Sequence, residues 1–234
     1  MGMLEKRSDY LLRGQNGLET CLTLSEDYAE MFAKRKYMER DKVKEILRRL
    51  NEAQVRYAII GGMALAHHAV PRFTQDLDLM VLAEDAPRVH EMFSDHYQRG
   101  TAVARIYDFN GTRFDIQPTS LRVKRAVIDH AIDDTIDDVP VKVAGLRDLI
   151  LLKLLAVPER PELPKRLQDE ADVAALLQHN AERITSEDVQ YIGRNLLAVC
   201  FTGDEVKKYR QVIVWLNETL SALGMADRRY PLDP

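Results

Sequence analysis

The chain has 234 residues, 46% hydrophobic and 30% charged, with 33 Lys+Arg against 37 Asp+Glu and a formal net charge of −4. That length is enough to bury a core, and the acidic balance excludes a protein whose affinity rests on blanket phosphate neutralisation. Two cysteines, Cys21 and Cys200, make neither a disulfide framework nor a zinc site and fit a reduced, cytoplasmic protein. The longest apolar run, Leu149–Val157, is broken by Lys153 and is too short for the roughly 20 residues of a bilayer span, so no membrane association is expected. No charged-then-apolar leader opens the chain, and secretion is not expected.

Residues 1–40 are weakly periodic and read as an N-terminal extension. From Asp41 a helix is predicted, because Val43, Ile46, Leu47 and Leu50 recur at helical spacing. Val55–Ile60 is β-rich and stops at Gly61-Gly62; Met63–Ala69 then favours a helix that Pro71 ends. Leu77–Leu82 reads as a strand and Pro87–Tyr97 as a helix. Val103–Phe109 and Thr112–Gln117 flank Asn110-Gly111, the pair that a type I′ hairpin turn favours. Val139–Val143 is a further strand. Helical patterns follow over Leu146–Ala156, Leu167–Leu177, Asp188–Val199 and Val206–Leu223, with three prolines between Pro158 and Pro164 marking a loop. The expected architecture is α/β (α+β): a small mixed sheet flanked by helices, then a helical C-terminal region. Three parts follow: extension 1–40, core domain 41–157 and helical region 158–234.

The chemistry concentrates in Ile59-Ile60-Gly61-Gly62 and Arg72-Phe73-Thr74-Gln75-Asp76-Leu77-Asp78. Side chains alternate along a strand, so Asp76 and Asp78 share one face, with Cα atoms roughly 6–7 Å apart. Two carboxylates that close repel unless a proton or cation compensates, and hard cations want oxygen ligands. Asp115, between Phe114 and Ile116, lies on the polar face of its own strand; if that strand lies beside Leu77–Leu82, three carboxylates meet. Two glycines opening a helix let the backbone approach a ligand and present unpaired N–H groups to phosphate oxygens.

Gly61-Gly62 … Asp76-Leu77-Asp78 resembles the signature of the nucleotidyltransferase superfamily that shares its fold with DNA polymerase β. The wider run Val55–Leu82, with Arg72-x-Thr74-x-Asp76-x-Asp78, and the segment Val141–Ile150 followed by Lys153 resemble the minimal bacterial nucleotidyltransferases that include AbiEii-like toxins of toxin–antitoxin systems. The resemblance covers roughly Lys42 to Leu177. It implies transfer of a nucleoside monophosphate from an NTP, ATP among the candidates, to an acceptor hydroxyl, with two Mg²⁺ ions and pyrophosphate leaving. Asp76, Asp78 and Asp115 would then be the catalytic, metal-holding residues, with Asp115 completing the acceptor-side site. Gly61, Gly62 and Lys153 would contact the nucleotide. Many relatives carry Ser where Gly62 stands; here the backbone alone remains.

Several alternatives stay open beside this reading. Lys153 either neutralises phosphate or pairs with Asp169 or Asp172. Arg72 and Thr74 order the loop before the strand or bind phosphate, the former preferred. His67 and His68 point about 100° apart on a helix and do not chelate one ion, so a structural role is expected. Asp133, Asp134, Asp137 and Asp138 lack the calcium-loop pattern and read as a solvated turn. The basic run Lys34–Lys36, Arg40, Lys42 and Lys44 reads as a solvated face with RNA contact as the alternative. Cys200 and Trp215 read as core or interface residues. Arg122, Lys124 and Arg125 favour a large acceptor, tRNA or another RNA or a protein, over a small molecule. A toxin would have an antitoxin partner. The rival to the enzyme is a non-catalytic nucleotide- or partner-binding protein that keeps the fold.

Overall fold

The computed structural model describes residues 17–31, 38–69 and 73–232. The chain divides into two compact units, 1–144 and 145–234. Among the described residues no helix is long and apolar enough to cross a membrane.

The first unit is built on a seven-stranded mixed sheet in the order β3-β4-β5-β2-β1-β7-β6, larger than the small sheet expected. Its strands are β1 (Tyr57–Ile59), β2 (Asp76–Leu82), β3 (Tyr97–Gly100), β4 (Arg105–Phe109), β5 (Thr112–Thr119), β6 (Ile132–Ile136) and β7 (Val139–Val143). β1 runs antiparallel to β2 and parallel to β7, while β2 runs parallel to β5. The β4–β5 hairpin turns at Asn110-Gly111, whose φ angles of 53° and 97° are both positive, as a type I′ turn requires. A parallel pair needs a long crossover, and the β2–β5 crossover here contains α4 (Ala86–Met92), a short 3₁₀ turn, β3 and β4. The predicted helix over 87–97 thus stops early, and Tyr97 opens an exposed edge strand.

Among the described residues five helices belong to the unit: α1 (Gly17–Met31), α2 (Arg40–Glu52), α3 (Gly61–His68), α4 and α5 (Arg122–Asp129). In α2, Val43, Ile46, Leu47 and Leu50 are all buried, each such side chain contributing about 1.5–3 kcal/mol of hydrophobic stabilisation. Leu18, Cys21 and Leu22 of α1 are fully buried. Helix α1 lies so close to α3 that a Cβ on Gly17 would sit 1.9 Å from the Ala66 carbonyl oxygen.

Only part of the acidic cluster is the solvated turn expected. Asp133 and Asp134 lie in β6. Asp133 stands opposite Lys142 on β7 in register and pairs with it at 2.6 Å, the opposite-charge cross-strand contact that favours pairing. Asp137 and Asp138 do form a turn, yet they bind basic side chains of α2. Asp137 meets Arg40 at 3.3 Å and Lys44 at 3.0 Å, and Asp138 meets Arg48 at 3.1 Å. Arg40 also pairs with Glu19 of α1. The described part of the basic run is therefore engaged with carboxylates; Lys34–Lys36 lie outside the described residues.

The second unit holds α6 (Leu146–Ala156), α7 (Leu163–His179), α8 (Ser186–Ala198) and α9 (Gly203–Ala222). Pro164 does not end a helix; it sits in the first turn of α7, where its missing N–H costs nothing. Helices α8 and α9 start with capping boxes, Thr185 with Asp188 and Thr202 with Glu205, each satisfying amides that the helix leaves unpaired. The Asp148 carboxylate is buried and accepts from the Tyr191 hydroxyl at 2.7 Å, while Arg147 lies 4.4 Å from the centre of the same ring. Trp215 and Cys200 are half-buried.

Candidate active site

The site is assembled by strand register. In the parallel β2–β5 pair Asp78 stands opposite Asp115 and Asp76 opposite Arg113. Period-two alternation puts all four on one face, so the third carboxylate joins the other two as the sequence reading required. Asp76 and Asp78 are half-buried and Asp115 is buried.

Gly61 closes the site from the β1 side. The Ile60 amide donates to the Asp78 carbonyl at 2.9 Å, and the chain then turns into α3 through Gly61 at φ +64°, a left-handed conformation that disfavours any side chain. A Cβ there would also sit 2.0 Å from Asp78 Oδ2. The glycine is thus needed twice, by its own backbone and by the carboxylate it touches. The first amides of α3 have no partner within the helix and form the positive end of its dipole.

Gly62 answers to a different neighbour. A Cβ at position 62 would lie 2.7 Å from Thr74 Oγ1 and 2.8 Å from Thr74 Cβ, so Thr74 fills the room that a serine would need. Thr74 is buried, its hydroxyl stands 3.4 Å from Asp76 Oδ1, and its carbonyl accepts from the Ser25 hydroxyl at 3.3 Å. These contacts order the loop before β2, the role preferred for Thr74. Arg72 lies outside the described residues.

The sequence reading overlooked Arg113. Its Nε donates to Asp115 Oδ1 at 2.9 Å and its Nη2 to Oδ2 at 2.6 Å, and Nε lies 3.7 Å from Asp76 Oδ2. Asp115 first, then Asp76 and Asp78, hold the guanidinium's pKa above its ordinary value. The signal was present as Arg-x-Asp on a strand, since residues two apart share a face.

The three aspartates supply the hard oxygen donors that a magnesium ion takes. As the side chains stand, however, no group of three His, Cys, Asp or Glu among the described residues is close enough to hold an ion. Both oxygens of Asp115 are engaged by Arg113.

The other singled-out residues have partners. Lys153 lies in the second unit, its ammonium 2.9 Å from Asp169 and 2.6 Å from Asp172. Of its two readings the ion pair is formed, with both named carboxylates at once. Arg160 adds a second cation to Asp169 at 3.0 Å. His67 pairs with Asp134 at 2.8 Å, whereas His68 Nε2 lies 2.7 Å from the Ala144 carbonyl. Their rings are nearly perpendicular, at 88°, and the two serve separate partners, as expected for structural histidines. On α5, Arg125 pairs with Glu84 at 3.0 Å and Arg122 is exposed. Burial lowers the pKa of Lys124.

The family described as "Nucleotidyl transferase AbiEii toxin, Type IV TA system" matches residues 45–195. The chain belongs to this family of minimal nucleotidyltransferases, within the polymerase-β-like superfamily. No curated protein matches it in sequence. Among solved structures, an antigenic nucleotidyltransferase-like protein from Paracoccidioides brasiliensis is similar at 16% identity and TM-score 0.51, over 80% of this chain and 92% of that one. The antibiotic-resistance factor ANT(2'')-Ia aligns at 13% identity and TM-score 0.45, over 82% of this chain and 97% of that one. A nucleotidyltransferase from H. pylori aligns at 13% identity and TM-score 0.44, over 82% and 96% of the two chains.

Proposed function

We propose that the protein transfers a nucleoside monophosphate from an NTP to an acceptor hydroxyl on an RNA or a protein, as the toxin of a toxin–antitoxin pair. The observation that carries this reading is the register of Asp78 against Asp115 on adjacent parallel strands, beside the left-handed turn at Gly61. A folding requirement does not account for gathering three carboxylates on one sheet face, where like charges repel.

In this reading Asp76, Asp78 and Asp115 would hold Mg²⁺. Bound there, two such ions would neutralise charge on the attacking and leaving oxygens of an in-line displacement. The amides of Gly61 and Gly62 bind triphosphate oxygens at the start of α3. Asp115 accepts the proton of the acceptor hydroxyl at a carboxylate oxygen. A bond then forms between that hydroxyl oxygen and the α-phosphorus, and the bond from the α-phosphorus to the pyrophosphate oxygen breaks. Thr74 keeps the loop before β2 ordered. The family description supports an antitoxin partner, and the exposed Arg122 of α5 is the basic residue there that supports a large acceptor.

Calorimetric titration of ATP, GTP, CTP and UTP with Mg²⁺ tests the proposal. Binding by the wild type that is lost in Asp76→Ala/Asp78→Ala is expected, and it identifies the NTP to use as label in a search for the acceptor. If no NTP binds, the reading as a non-catalytic scaffold replaces it.

A further inference from the structure

The carboxylate face of the sheet continues past Asp115. Strand register sets one row across four strands: Asp78 on β2 opposite Asp115 on β5, Asp115 opposite Ile106 on β4, and Ile106 opposite Arg99 on β3. Directly opposed residues share a face, so Arg99 lies on the side that carries the aspartates. Neighbouring strands are about 4.8 Å apart, which puts the Arg99 backbone roughly 10 Å from that of Asp115.

An irregularity in β3 is what puts it there. Tyr97 stands opposite Tyr107, and unbroken antiparallel pairing would set position 99 against Arg105. The register instead shifts between Tyr97 and Arg99, and Arg99 meets Ile106. Bulges of this kind re-aim side chains beside active sites. This one takes an arginine off the face where Tyr107 is buried and turns it to the aspartates.

Two polar side chains on this face have no hydrogen bond or ion pair among the described residues. Arg99 is exposed. Gln117 is half-buried on β5, two residues beyond Asp115 and therefore on its face. Its amide offers two donors and an acceptor, and leaving such groups dehydrated and unmet is costly. β5, β4 and β3 all lie on the far side of β2 from β1, which leads into Gly61. With the triphosphate assigned to Gly61 and Gly62, the acceptor approaches over these three strands. Three carboxylates repel an anionic acceptor, and a cation beyond them offsets that repulsion.

We infer that Gln117 and Arg99 hold the acceptor. The Gln117 amide hydrogen-bonds it beside the reacting hydroxyl, and Arg99 pairs with a phosphodiester next to that hydroxyl. The acceptor is then the end of an RNA strand rather than a protein side chain, whose hydroxyl brings no neighbouring phosphate. This rests on the transfer reading proposed above.

The test is fluorescence anisotropy of a 5′-labelled, mixed-sequence RNA octamer with a free 3′-hydroxyl, in Mg²⁺ and over a range of salt concentrations. Arg99→Gln should weaken binding about tenfold. It should also make the slope of log affinity against log salt shallower by about 0.7, the value of one single-strand phosphate contact. Arg99→Lys should restore the slope, and Gln117→Ala should weaken binding without moving it. Both variants should bind the NTP as wild type does by calorimetry, which a general loss of structure would not allow. Arg99 is exposed, so its replacement remains the readout if circular dichroism shows Gln117→Ala unfolded. Unchanged RNA binding in either folded variant overturns the assignment of that residue and leaves the transfer reading standing. A wild type that binds the NTP but not the octamer overturns the inference and points to a protein acceptor. Loss of NTP binding in Arg99→Gln overturns it too, because the arginine would then serve the triphosphate. If the wild type binds no NTP, the transfer reading fails and the inference with it.

Discussion

At the scale of single residues, the two glycines have different reasons for being glycine. Gly61 is constrained by its φ of +64° and by the Asp78 carboxylate, Gly62 only by the Thr74 side chain. Gly62→Ser should therefore bind nucleotide worse than wild type, although it adds a hydroxyl beside the helix N-terminus. The loss should be relieved by Thr74→Ala in the same chain, and not by Thr74→Ala alone. Gly61→Ala should resist any such relief, since left-handed backbone alone costs a residue about 1–2 kcal/mol. Nucleotide calorimetry and thermal melts on the set separate the two cases. The sequence displayed the glycines, the aspartates and their spacing. It did not display that Thr74 fills the space beside Gly62, because that contact joins α3 to a loop twelve positions on through packing alone.

Helices and strands were legible where their side chains alternate between core and solvent. Helix α2, the β4–β5 hairpin, β7 and the four long C-terminal helices all carry clear periodicity. Where charge masked the pattern, elements went unread: two of the five residues of β6 are aspartate, and α5 begins with Arg122, Lys124 and Arg125. Helix α1 was missed because its apolar residues pack against α3, a partner that sequence does not name. The capping boxes give an element-scale expectation. Glu205 accepts from the amides of Phe201 at 2.8 Å and Thr202 at 2.9 Å, and these bonds hold its pKa below the ordinary value. A depressed carboxylate stabilises the fold at pH above its unfolded value, about 4.3 for Glu, and that stabilisation is lost as pH falls through the folded value. Hydrogen exchange at Phe201 and Thr202 should therefore accelerate below about pH 4, relative to the base-catalysed trend. Glu205→Gln should remove that pH dependence.

For the molecule as a whole, the second unit has its own internal signature, a charge cluster of Lys153, Asp169, Asp172 and Arg160. Lys153 is 12% exposed and its partners Asp169 and Asp172 are 6% and 4% exposed, so the pairing belongs with buried rather than surface ion pairs. Removing one partner of a buried pair leaves uncompensated charge and costs about 3–5 kcal/mol. Trp215, the only tryptophan, lies in this unit and makes its unfolding visible by fluorescence. Lys153→Met should lower the urea midpoint reported by Trp215, with a destabilisation of that order; a shift within about 1 kcal/mol would place the lysine among surface pairs.

The parallel pairing of β2 with β5 also has a consequence in time. Asp76 and Asp78 are translated well before Asp115, and the strands meet only after the whole crossover exists. At synthesis rates of about 5–20 residues per second, a nascent chain spends on the order of seconds with two of its three carboxylates made and the third still to come. Non-local strand pairing is slow to form even once the residues are available. Under the proposed function, a chain interrupted before β5 carries Asp76 and Asp78 without Asp115 and would not complete the transfer.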